Sequence, residues 1–290
     1  LDTYLKLTGQ KTSEGNLLTS NPETSGRYHS AWLSMMYPRL FVARQLLSDE
    51  GVIFVSIDDS EVHNLRMVMN DVFGEENFVA MAIWQRKYSP QNDDQGISEL
   101  HEYVCVYAKS KQSWKPNLLP RTEEALARYK NPDNDPRGPW KAGDLTSKTK
   151  AAGHSYPITS PTGKVHSPVS GRQWAPAQET FNRWISENRI WFGPDGNSVP
   201  SLKQFLTEVQ QGTVPTSLWL RDDVGDNQEA SRELKAMDIP FDSPKPVRLI
   251  KNMLKIATYG QTDDVILDFF SGSSTVAFCT CFLGSKGFPS

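Results

Sequence analysis

The chain has 290 residues and a formal net charge of −3, and 38% of its residues are apolar. This length can hold one large domain or two small ones, and the apolar content suffices for a buried core, which predicts a folded, soluble protein. The sequence contains no apolar run of about 18 residues and no charged and then apolar leader after Leu1, so neither a membrane span nor a signal peptide is expected. The expected location is therefore the cytoplasm.

The first part of the chain predicts the helix, strand, helix alternation that is typical of α/β proteins. Apolar residues at three- and four-residue steps predict a helix over 31–48, in which Pro38 should produce a kink or begin a second helix. The β-branched run at 52–57 has the composition of a buried parallel strand. Asp59 or Ser60 is the expected N-cap of the next helix. The predicted buried face of that helix consists of Val62, Leu65, Met69, Val72 and Phe73.

Two acids follow the strand at 52–57. In open parallel sheets, ligands bind beyond the carboxyl ends of the strands, which is where Asp58 and Asp59 would lie. A functional acid at Asp58 is one interpretation of this position. For Asp59, capping of the following helix is the favoured interpretation.

The middle of the chain changes from regular elements to a segment rich in loops. Strands are predicted over 77–88 and 102–108, and they are expected to pair. From 116 to 212, prolines and turn dipeptides separate a hairpin over 156–166 from short helices over 177–188 and 201–211. This segment is predicted to be a second domain that is inserted into the first.

Basic residues are concentrated in the same part of this acidic chain. Residues 84–192 contain 16 Lys or Arg against 11 Asp or Glu. Between Arg137 and Arg172 the only acid is Asp144. Interleaved aromatic residues suit phosphate contact and base stacking, although Trp184 and Trp191 are expected to be packing residues. The segment indicates contact with a polyanion, and the alternative is a solvated lysine-rich loop.

A helix pattern returns over 245–259. Pro246 is expected in the first turn of this helix. Lys245 at its start is interpreted either as a partner for a ligand carboxylate or as an ordinary surface lysine.

The stretch VILDFFSGSSTV is the strongest candidate for a ligand-binding loop. Residues 265–267 predict a strand that ends in Asp268, and a small-residue turn around Gly272 leads to a helix from Thr275. Glycine lets a ligand approach the backbone, the N–H groups of the helix start favour anions, and the acid can accept a hydrogen bond from an amine or hydroxyl. The alternative is an ordinary strand-to-helix turn. Because the chain has neither GxGxxG nor GK[ST], a dinucleotide or nucleoside triphosphate is less well supported.

The three cysteines provide no sign of a disulfide or zinc protein. Cys105, Cys279 and Cys281 form neither a disulfide framework nor, with nearby histidines, a zinc-binding spacing. We therefore expect reduced thiols in the core and no metal site.

Six stretches together resemble the modification (Mod) subunits of type III restriction-modification systems, which are β-group adenine-N6 DNA methyltransferases. The resemblance covers nearly the whole chain, and the order of the stretches is specific to that group. The stretches are TSNPETSGRYHSAWLSMMYPRL at 19–40, GVIFVSIDDSEV at 51–62, HEYVCVYAK at 101–109, SLWLRDDVGDNQEASRELK at 217–235, PKPVRLI at 244–250 and LDFFSGSST at 267–275.

The resemblance implies a Rossmann-like α/β core for an S-adenosylmethionine-dependent methyltransferase, incomplete at both ends, with an inserted α+β target-recognition domain. The implied domains are 1–85 and 216–290 for the core and 86–215 for target recognition. The implied cofactor-binding residues are Lys245, Pro246, Asp268, Phe269, Phe270, Gly272 and Ser273. The candidate DNA-binding residues, which combine the resemblance with the basic segment, are Arg86, Lys87, Tyr88, Arg137, Lys141, Lys148, Lys150, Lys164 and Arg172.

The chain departs from this family pattern in three places, one of which is that it ends before the next expected strand, whose terminal acid usually holds the cofactor ribose in the family. The catalytic tetrapeptide Asp-Pro-Pro-Tyr is absent, and we would expect it shortly before Leu1, so no catalytic residue is nominated and Asp58 is only an auxiliary candidate. Ser274 stands where the family's loop commonly has glycine. We therefore expect an internal or truncated piece of a Mod subunit.

The resemblance implies three partners, which are double-stranded DNA, a second Mod subunit and a restriction (Res) subunit. The alternative function is a non-catalytic DNA-recognition or assembly module. An NAD-dependent dehydrogenase is disfavoured because the chain has no GxGxxG and no catalytic histidine near a strand end.

Overall fold

The computed structural model describes residues 26–90, 96–258 and 264–283, and the chain divides into two compact units. The first unit consists of Leu1–Leu119 with Val214–Ser290, and the second is Pro120–Thr213. The second unit begins later than the predicted boundary at 86, because the strand at 101–108 belongs to the sheet of the first unit. Within the described residues, every helix is too short or too polar to cross a bilayer.

The elements alternate along the chain as follows. The first unit begins with α1 (Gly26–Leu46), β1 (Val52–Ile57), α2 (Val62–Phe73), a 3-10 turn (Glu75–Asn77), β2 (Phe78–Gln85) and β3 (His101–Ala108). The second unit contains α3 (Glu123–Ala127), β4 (Trp140–Gly143), β5 (Thr146–Ser147), β6 (Ile158–Thr159), β7 (Val165–His166), β8 (Gln173–Trp174), α4 (Gln178–Ser186), β9 (Ile190–Trp191) and β10 (Ser201–Phe205). The first unit resumes with β11 (Leu218–Trp219), α5 (Arg221–Val224), α6 (Asn227–Ala236), α7 (Val247–Ala257) and α8 (Thr275–Leu283).

The first unit has a mixed sheet in the order β1-β3-β2-β11. The predicted pairing of β2 with β3 is confirmed and is antiparallel, whereas β2 and β11 are parallel. The prediction that β1 is a parallel strand is wrong, because its described neighbour β3 runs antiparallel to it, with Val52 opposite Ala108. As a result β1, β2 and β11 all end, and β3 begins, at one edge of the sheet. We refer to this edge, formed by residues 57–59, 84–88, 101–103 and 219–221, as the strand-end edge.

The strand β3 divides the core of the first unit into two layers. Alternate side chains of a strand point to opposite faces, so Val104 and Val106 pack with α7, whereas Cys105 and Tyr107 pack with α1 and α2. The buried face predicted for α2 is confirmed at Leu65, Met69, Val72 and Phe73. The first unit is therefore a sheet covered by helices on both faces.

The described cysteines are consistent with the prediction of reduced core thiols. Cys105 and Cys279 are buried and unpaired, and the side chain of Cys281 lies outside the described residues. Burial raises the pKa of the Cys105 thiol to about 12 and that of Cys279 to about 11. Both thiols are therefore protonated, unreactive core groups at neutral pH.

Two predictions about helix ends need correction. The helix α1 runs continuously through Pro38, so the alternative of a second helix that begins there is wrong, while the alternative of a kink stays a prediction. The N-cap of α2 is Glu61 without a side-chain capping bond, so neither Asp59 nor Ser60 is the cap. Asp58 instead accepts a hydrogen bond from the N–H of Ser60 at 3.1 Å, which satisfies the turn before the helix.

The predicted strand over 265–267 is wrong. These residues form no regular element, and Val265, Ile266 and Leu267 are 94%, 36% and 57% exposed. An apolar strand depends on backbone hydrogen bonds to neighbouring strands, and none of the four strands in the described sheet pairs with this segment. The following helix, predicted from Thr275, is confirmed as α8.

The second unit has its own small sheet, β4-β10-β9, and its own core around Leu145, Trp174 and Phe181. The predicted hairpin is confirmed as β6 and β7, and the predicted helix over 177–188 as α4. The helix predicted over 201–211 is wrong, because β10 occupies its start. The side chains of Lys203 and Phe205 are both buried. Because a charged lysine occupies one of these interior positions, the alternation of apolar and polar residues that identifies a strand is not visible in the sequence.

Lys203 is buried because two carboxylates neutralise it. Only 1% of its side chain is exposed, and its ammonium group forms ion pairs with Asp133 and Asp135. A side-chain hydrogen bond from Arg137 is the main cause that lowers the pKa of Asp135. Burial alone would raise the pKa of Asp133, but hydrogen bonds from Lys203 and Trp140 lower it. The network therefore consists of charged groups that depend on one another.

We predict that Lys203→Ala destabilises the protein by about 3–5 kcal/mol, because the buried Asp135 and the half-buried Asp133 would lose their shared cation. The urea midpoint measured by circular dichroism checks this. Lys164→Ala is the control, since Lys164 carries the same charge on an exposed turn and its removal should change the free energy of unfolding by less than about 0.5 kcal/mol. Equal midpoints for the two variants would contradict the assigned role of Lys203.

Candidate functional site

Polar side chains collect at the strand-end edge of the first unit. The hydroxyl of Tyr103 donates a hydrogen bond to Asp59, which is the main cause that raises the pKa of this tyrosine. The Nε2 atom of His101 lies 3.1 Å from the same hydroxyl. Asp58 is exposed beside them and its carboxylate contacts only the local turn among the hydrogen bonds of the described residues. Asp59 is thus tied to β3, while Asp58 faces solvent.

A second polar group at this edge connects three elements through one carboxylate. Arg86, directly after β2, donates from Nη1 to Oε1 of Glu102 at 3.0 Å. The ammonium group of Lys245, just before α7, lies 2.8 Å from Oε2 of the same glutamate. It also lies 5.2 Å from the ring centroid of Trp84, which is a cation–π contact. Glu102 therefore joins the end of β2 to the start of α7.

A cavity of about 280 Å³ lies next to Lys245 in the first unit. It is formed by the C-terminal part of α6, the start of α7, and the loop that leads into α8. Most of its wall is apolar, with a few polar groups from Glu233, Lys245, Ser273 and Thr275. The complete lining consists of Ala230, Glu233, Leu234, Met237, Ile239, Lys245, Val247, Ser273, Ser274, Thr275 and Ala277.

Side chains hold the two sides of this cavity together. Glu233 on α6 accepts a hydrogen bond from the N–H of Val247 at 3.0 Å, which satisfies one free donor at the start of α7. This matters because the N-cap of α7 is Pro246, which has no side-chain capping bond. The hydroxyls of Ser273 and Thr275 are 2.8 Å apart, and that of Thr275 donates to the carbonyl of Lys245 at 3.4 Å.

The loop before α8 contains two residues in the left-handed region of backbone conformation. Gly272 has φ +48°, and a Cβ atom at this position would lie 3.2 Å from the ring of Phe241. Ser274 has φ +58°, a conformation that favours glycine. Its N–H donates to the carbonyl of Ser271 at 2.6 Å, which closes the turn. The chain therefore keeps a glycine-type backbone at a position occupied by serine.

The structure brings together some of the predicted cofactor-binding residues. Lys245 and Ser273 line the cavity, and Pro246 is buried at the start of α7. Asp268, Phe269, Phe270 and Gly272 do not line it. The Asp268 carboxylate accepts from the N–H of Phe270 at 3.2 Å, and the rings of Phe269 and Phe270 are 5.1 Å apart and exposed.

Sequence reasoning did not identify Glu102, Glu233 or Thr275. Glu233 and Glu102 look like ordinary acids of an exposed helix and a strand start. Their partners, Val247 and Lys245, are distant in sequence, so no local pattern could have revealed these contacts. Thr275 was predicted only as the start of a helix, although its position directly after the small-residue loop is a signal that could have included it.

Eight of the nine candidate DNA-binding residues fall into two groups. The first group already has partners within the protein: Arg86 pairs with Glu102, Arg137 with Asp135, Arg172 with Asp144, Lys141 lies 5.4 Å from the Tyr129 ring, and Tyr88 lies 4.3 Å from the guanidinium of Arg221. The second group, Lys148, Lys150 and Lys164, is exposed in the second unit. Lys87 is half-buried after β2.

A sequence profile described as DNA methylase matches residues 16–284, which is most of the chain. The chain belongs to the N6/N4 DNA methylase family. The family expected from the sequence motifs is thus confirmed, and the mixed α/β fold is that of a DNA methylase domain.

Individual DNA methylases show the same relationship. The chain is 39% identical to the type III restriction-modification enzyme StyLTI Mod subunit of Salmonella typhimurium over 264 residues, which are 89% of this chain and 39% of that protein. It is 31% identical to the EcoP15I Mod subunit of Escherichia coli, covering 89% of this chain and 45% of that protein. It is 30% identical to the type II methyltransferase M.KpnI of Klebsiella pneumoniae, covering 89% and 64%. The chain therefore spans less than half the length of these two Mod subunits.

We predict that Ser274→Gly stabilises this DNA methylase by about 1 kcal/mol, because it removes the steric cost of a side chain in the left-handed region. The expected result is a rise in Tm, measured by differential scanning fluorimetry. Ser273→Gly is the control, since φ at Ser273 is not positive: this change adds flexibility and removes the hydroxyl contact with Thr275 without relieving strain, so it should lower Tm. A Tm that falls equally in both variants would show that no strain exists at Ser274.

Proposed function

We propose that this chain is part of an S-adenosylmethionine-dependent DNA methyltransferase of the type III Mod kind, which transfers a methyl group to the N6 atom of adenine in duplex DNA. The first unit would be part of a Rossmann-like methyltransferase core. The observation that carries the proposal is the cavity shared by Lys245 and the loop before α8. These are the two segments that the family resemblance assigns to the cofactor, and they are joined here across 30 residues of sequence.

The chemistry of the cavity supports binding of the methionine end of S-adenosylmethionine. That end carries a carboxylate, an ammonium group and an apolar chain. The N–H groups at the start of α8 and the ammonium group of Lys245 can hold the carboxylate, and Glu233 is an anion in the cavity wall. The cavity volume of about 280 Å³ is below that of a site for a whole drug-sized ligand. We therefore assign it to part of the cofactor.

The remaining cofactor candidates suit the adenosine end. Phe269 and Phe270 present exposed rings outside the cavity, which could stack on an adenine base. Asp268 stands directly before them and can accept from a ribose hydroxyl or an amine. Gly272 permits close approach because it has no side chain, whereas a Cβ atom at this position would lie 3.2 Å from the Phe241 ring.

When bound, S-adenosylmethionine supplies a methyl group that its sulfonium already activates, so positioning of the target amine accounts for most of the rate. Asp-Pro-Pro-Tyr, which the resemblance implies for positioning an extruded adenine, is not among the 290 residues. The proposal therefore assigns cofactor and DNA binding to this chain and no catalytic side chain. Asp58, exposed at the strand-end edge, stays an auxiliary candidate.

We propose the second unit, Pro120–Thr213, as the core of the target-recognition domain. Lys148, Lys150 and Lys164 are exposed and available for phosphate, whereas Arg137 and Arg172 are engaged in ion pairs that stabilise the unit itself. By analogy with relatives named as Mod subunits, a second copy of the protein and a restriction subunit are proposed partners. A DNA-recognition module without cofactor binding is the competing function.

We predict that S-adenosylmethionine binds to the 290-residue chain and that Gly272→Val abolishes binding. Valine would strain a backbone with φ +48° and press its Cβ against Phe241 at 3.2 Å. Isothermal titration calorimetry measures the affinity. The control is Gly163→Val, which also has positive φ, at +85°, but has no atom within 4 Å of the added Cβ and lies in the second unit.

The control separates loss of the site from loss of the fold. Gly163→Val should bind S-adenosylmethionine as the unchanged chain does. If the unchanged, folded chain does not bind the cofactor, the competing function as a DNA-recognition module is favoured.

We predict that Lys148→Ala/Lys150→Ala weakens binding to a double-stranded oligonucleotide. Each lost phosphate contact should reduce the slope of log K against log salt by about 0.9. Fluorescence anisotropy over a salt series measures both quantities. The control, Lys115→Ala/Lys235→Ala, removes the same charge from exposed positions in the first unit. If both double variants reduce the slope equally, binding depends on net charge and not on this surface.

A further inference from the structure

The carboxylate of Glu102 is shared by Lys245 and Arg86, two cations that are candidates for different ligands. Lys245 lies at the wall of the proposed cofactor cavity, and Arg86 is a candidate for DNA phosphate. One oxygen of Glu102 accepts from Arg86 at 3.0 Å, and the other lies 2.8 Å from Lys245. The two cations therefore compete for one negative charge.

Burial strengthens this competition. The side chain of Glu102 is 12% exposed, that of Arg86 20% and that of Lys245 28%, so water screens the three charges only partly. The register of the sheet fixes Glu102, because it lies opposite Trp84 in the β2–β3 ladder. Trp84 is itself fully buried, and its Nε1 donates to the carbonyl of Gly225 at 2.9 Å. The carboxylate and the aromatic face beneath Lys245 are thus both anchored.

The other charged groups at this point do not share the bridging geometry. Glu99 approaches Arg86 at 3.7 Å and is 55% exposed, and it forms no described ion pair with Lys245. The ammonium of Lys245 has Glu102 as its partner in the ion pairs of the described residues. Glu102 is therefore the group through which a change at one cation reaches the other.

We propose that Glu102 is a shared counter-ion that makes cofactor binding at Lys245 and DNA phosphate binding at Arg86 mutually antagonistic. This inference rests on the proposed function. A phosphate that binds Arg86 displaces the carboxylate of Glu102 from it. Glu102 then interacts with Lys245 alone and neutralises the charge of this lysine more completely. Lys245 then attracts the cofactor carboxylate less strongly. The effect is reciprocal, since a cofactor carboxylate at Lys245 releases Glu102 to Arg86.

The test is a comparison of S-adenosylmethionine affinity with and without a saturating double-stranded oligonucleotide, measured by calorimetry on the 290-residue chain. In the unchanged chain, DNA should weaken cofactor binding by about fivefold. In Glu102→Gln, which keeps the size of the side chain but removes its charge, each ligand alone should bind more tightly and the ratio of the two affinities should approach one. Glu99→Gln is the matched control, and it should keep the fivefold ratio.

A second variant covers the case in which Glu102→Gln does not fold. Arg86→Gln leaves Glu102 to Lys245 permanently, so cofactor binding should be weak with or without DNA. The inference is overturned if Glu102→Gln or Arg86→Gln keeps the ratio of S-adenosylmethionine affinities, without and with DNA, that the unchanged chain shows. It is overturned as well if Glu102→Gln weakens the binding of both ligands and lowers Tm, which is the result expected for a purely structural residue. It is also overturned if the unchanged chain binds both ligands independently. Failure of the unchanged chain to bind either ligand would instead reject the proposed function, and the inference with it.

Discussion

The central position of β3 is the constraint on which the first unit depends. Its residues from Val104 to Ala108 are buried on both faces, so it can lie only inside the sheet, between β1 and β2. Because it runs antiparallel to both, its first residues lie where β1 and β2 end. Glu102 and Tyr103 are thereby placed beside Arg86 and Asp59. The polar groups of the strand-end edge are a consequence of one strand's direction.

The elements that the sequence predicted most accurately are those whose own residues show a clear apolar periodicity. The helix α2 and the β2–β3 pair have clear periodicity, and both formed as predicted. The strand at 265–267 failed because it requires neighbours that the described sheet does not contain. The strand β10 was mistaken for a helix because Lys203 occupies an inward position, and its two carboxylate partners are about 70 residues away in sequence.

Candidate sites were predictable where they consist of one continuous segment, and only there. The loop with Gly272 and Ser273 and the Lys245-Pro246 start of α7 are each visible in the sequence. Their junction depends on Glu233 and Thr275, which bridge elements and have no local signature. The basic segment shows the same limit, since composition cannot distinguish Arg137, used to stabilise a buried acid, from Lys148, which is exposed.

At Ser274 the backbone conformation of the loop does not follow from the residue type. Its φ of +58° is the conformation for which glycine is the usual residue, and the hydrogen bond to Ser271 closes the same turn that a glycine would. A serine can be kept there only if the surrounding contacts outweigh its steric cost. Those contacts are the hydroxyl pair of Ser273 and Thr275 and the link from Thr275 to the start of α7. The contacts that hold the loop against α7 thus determine the backbone conformation at Ser274. The residue type at this position does not determine it.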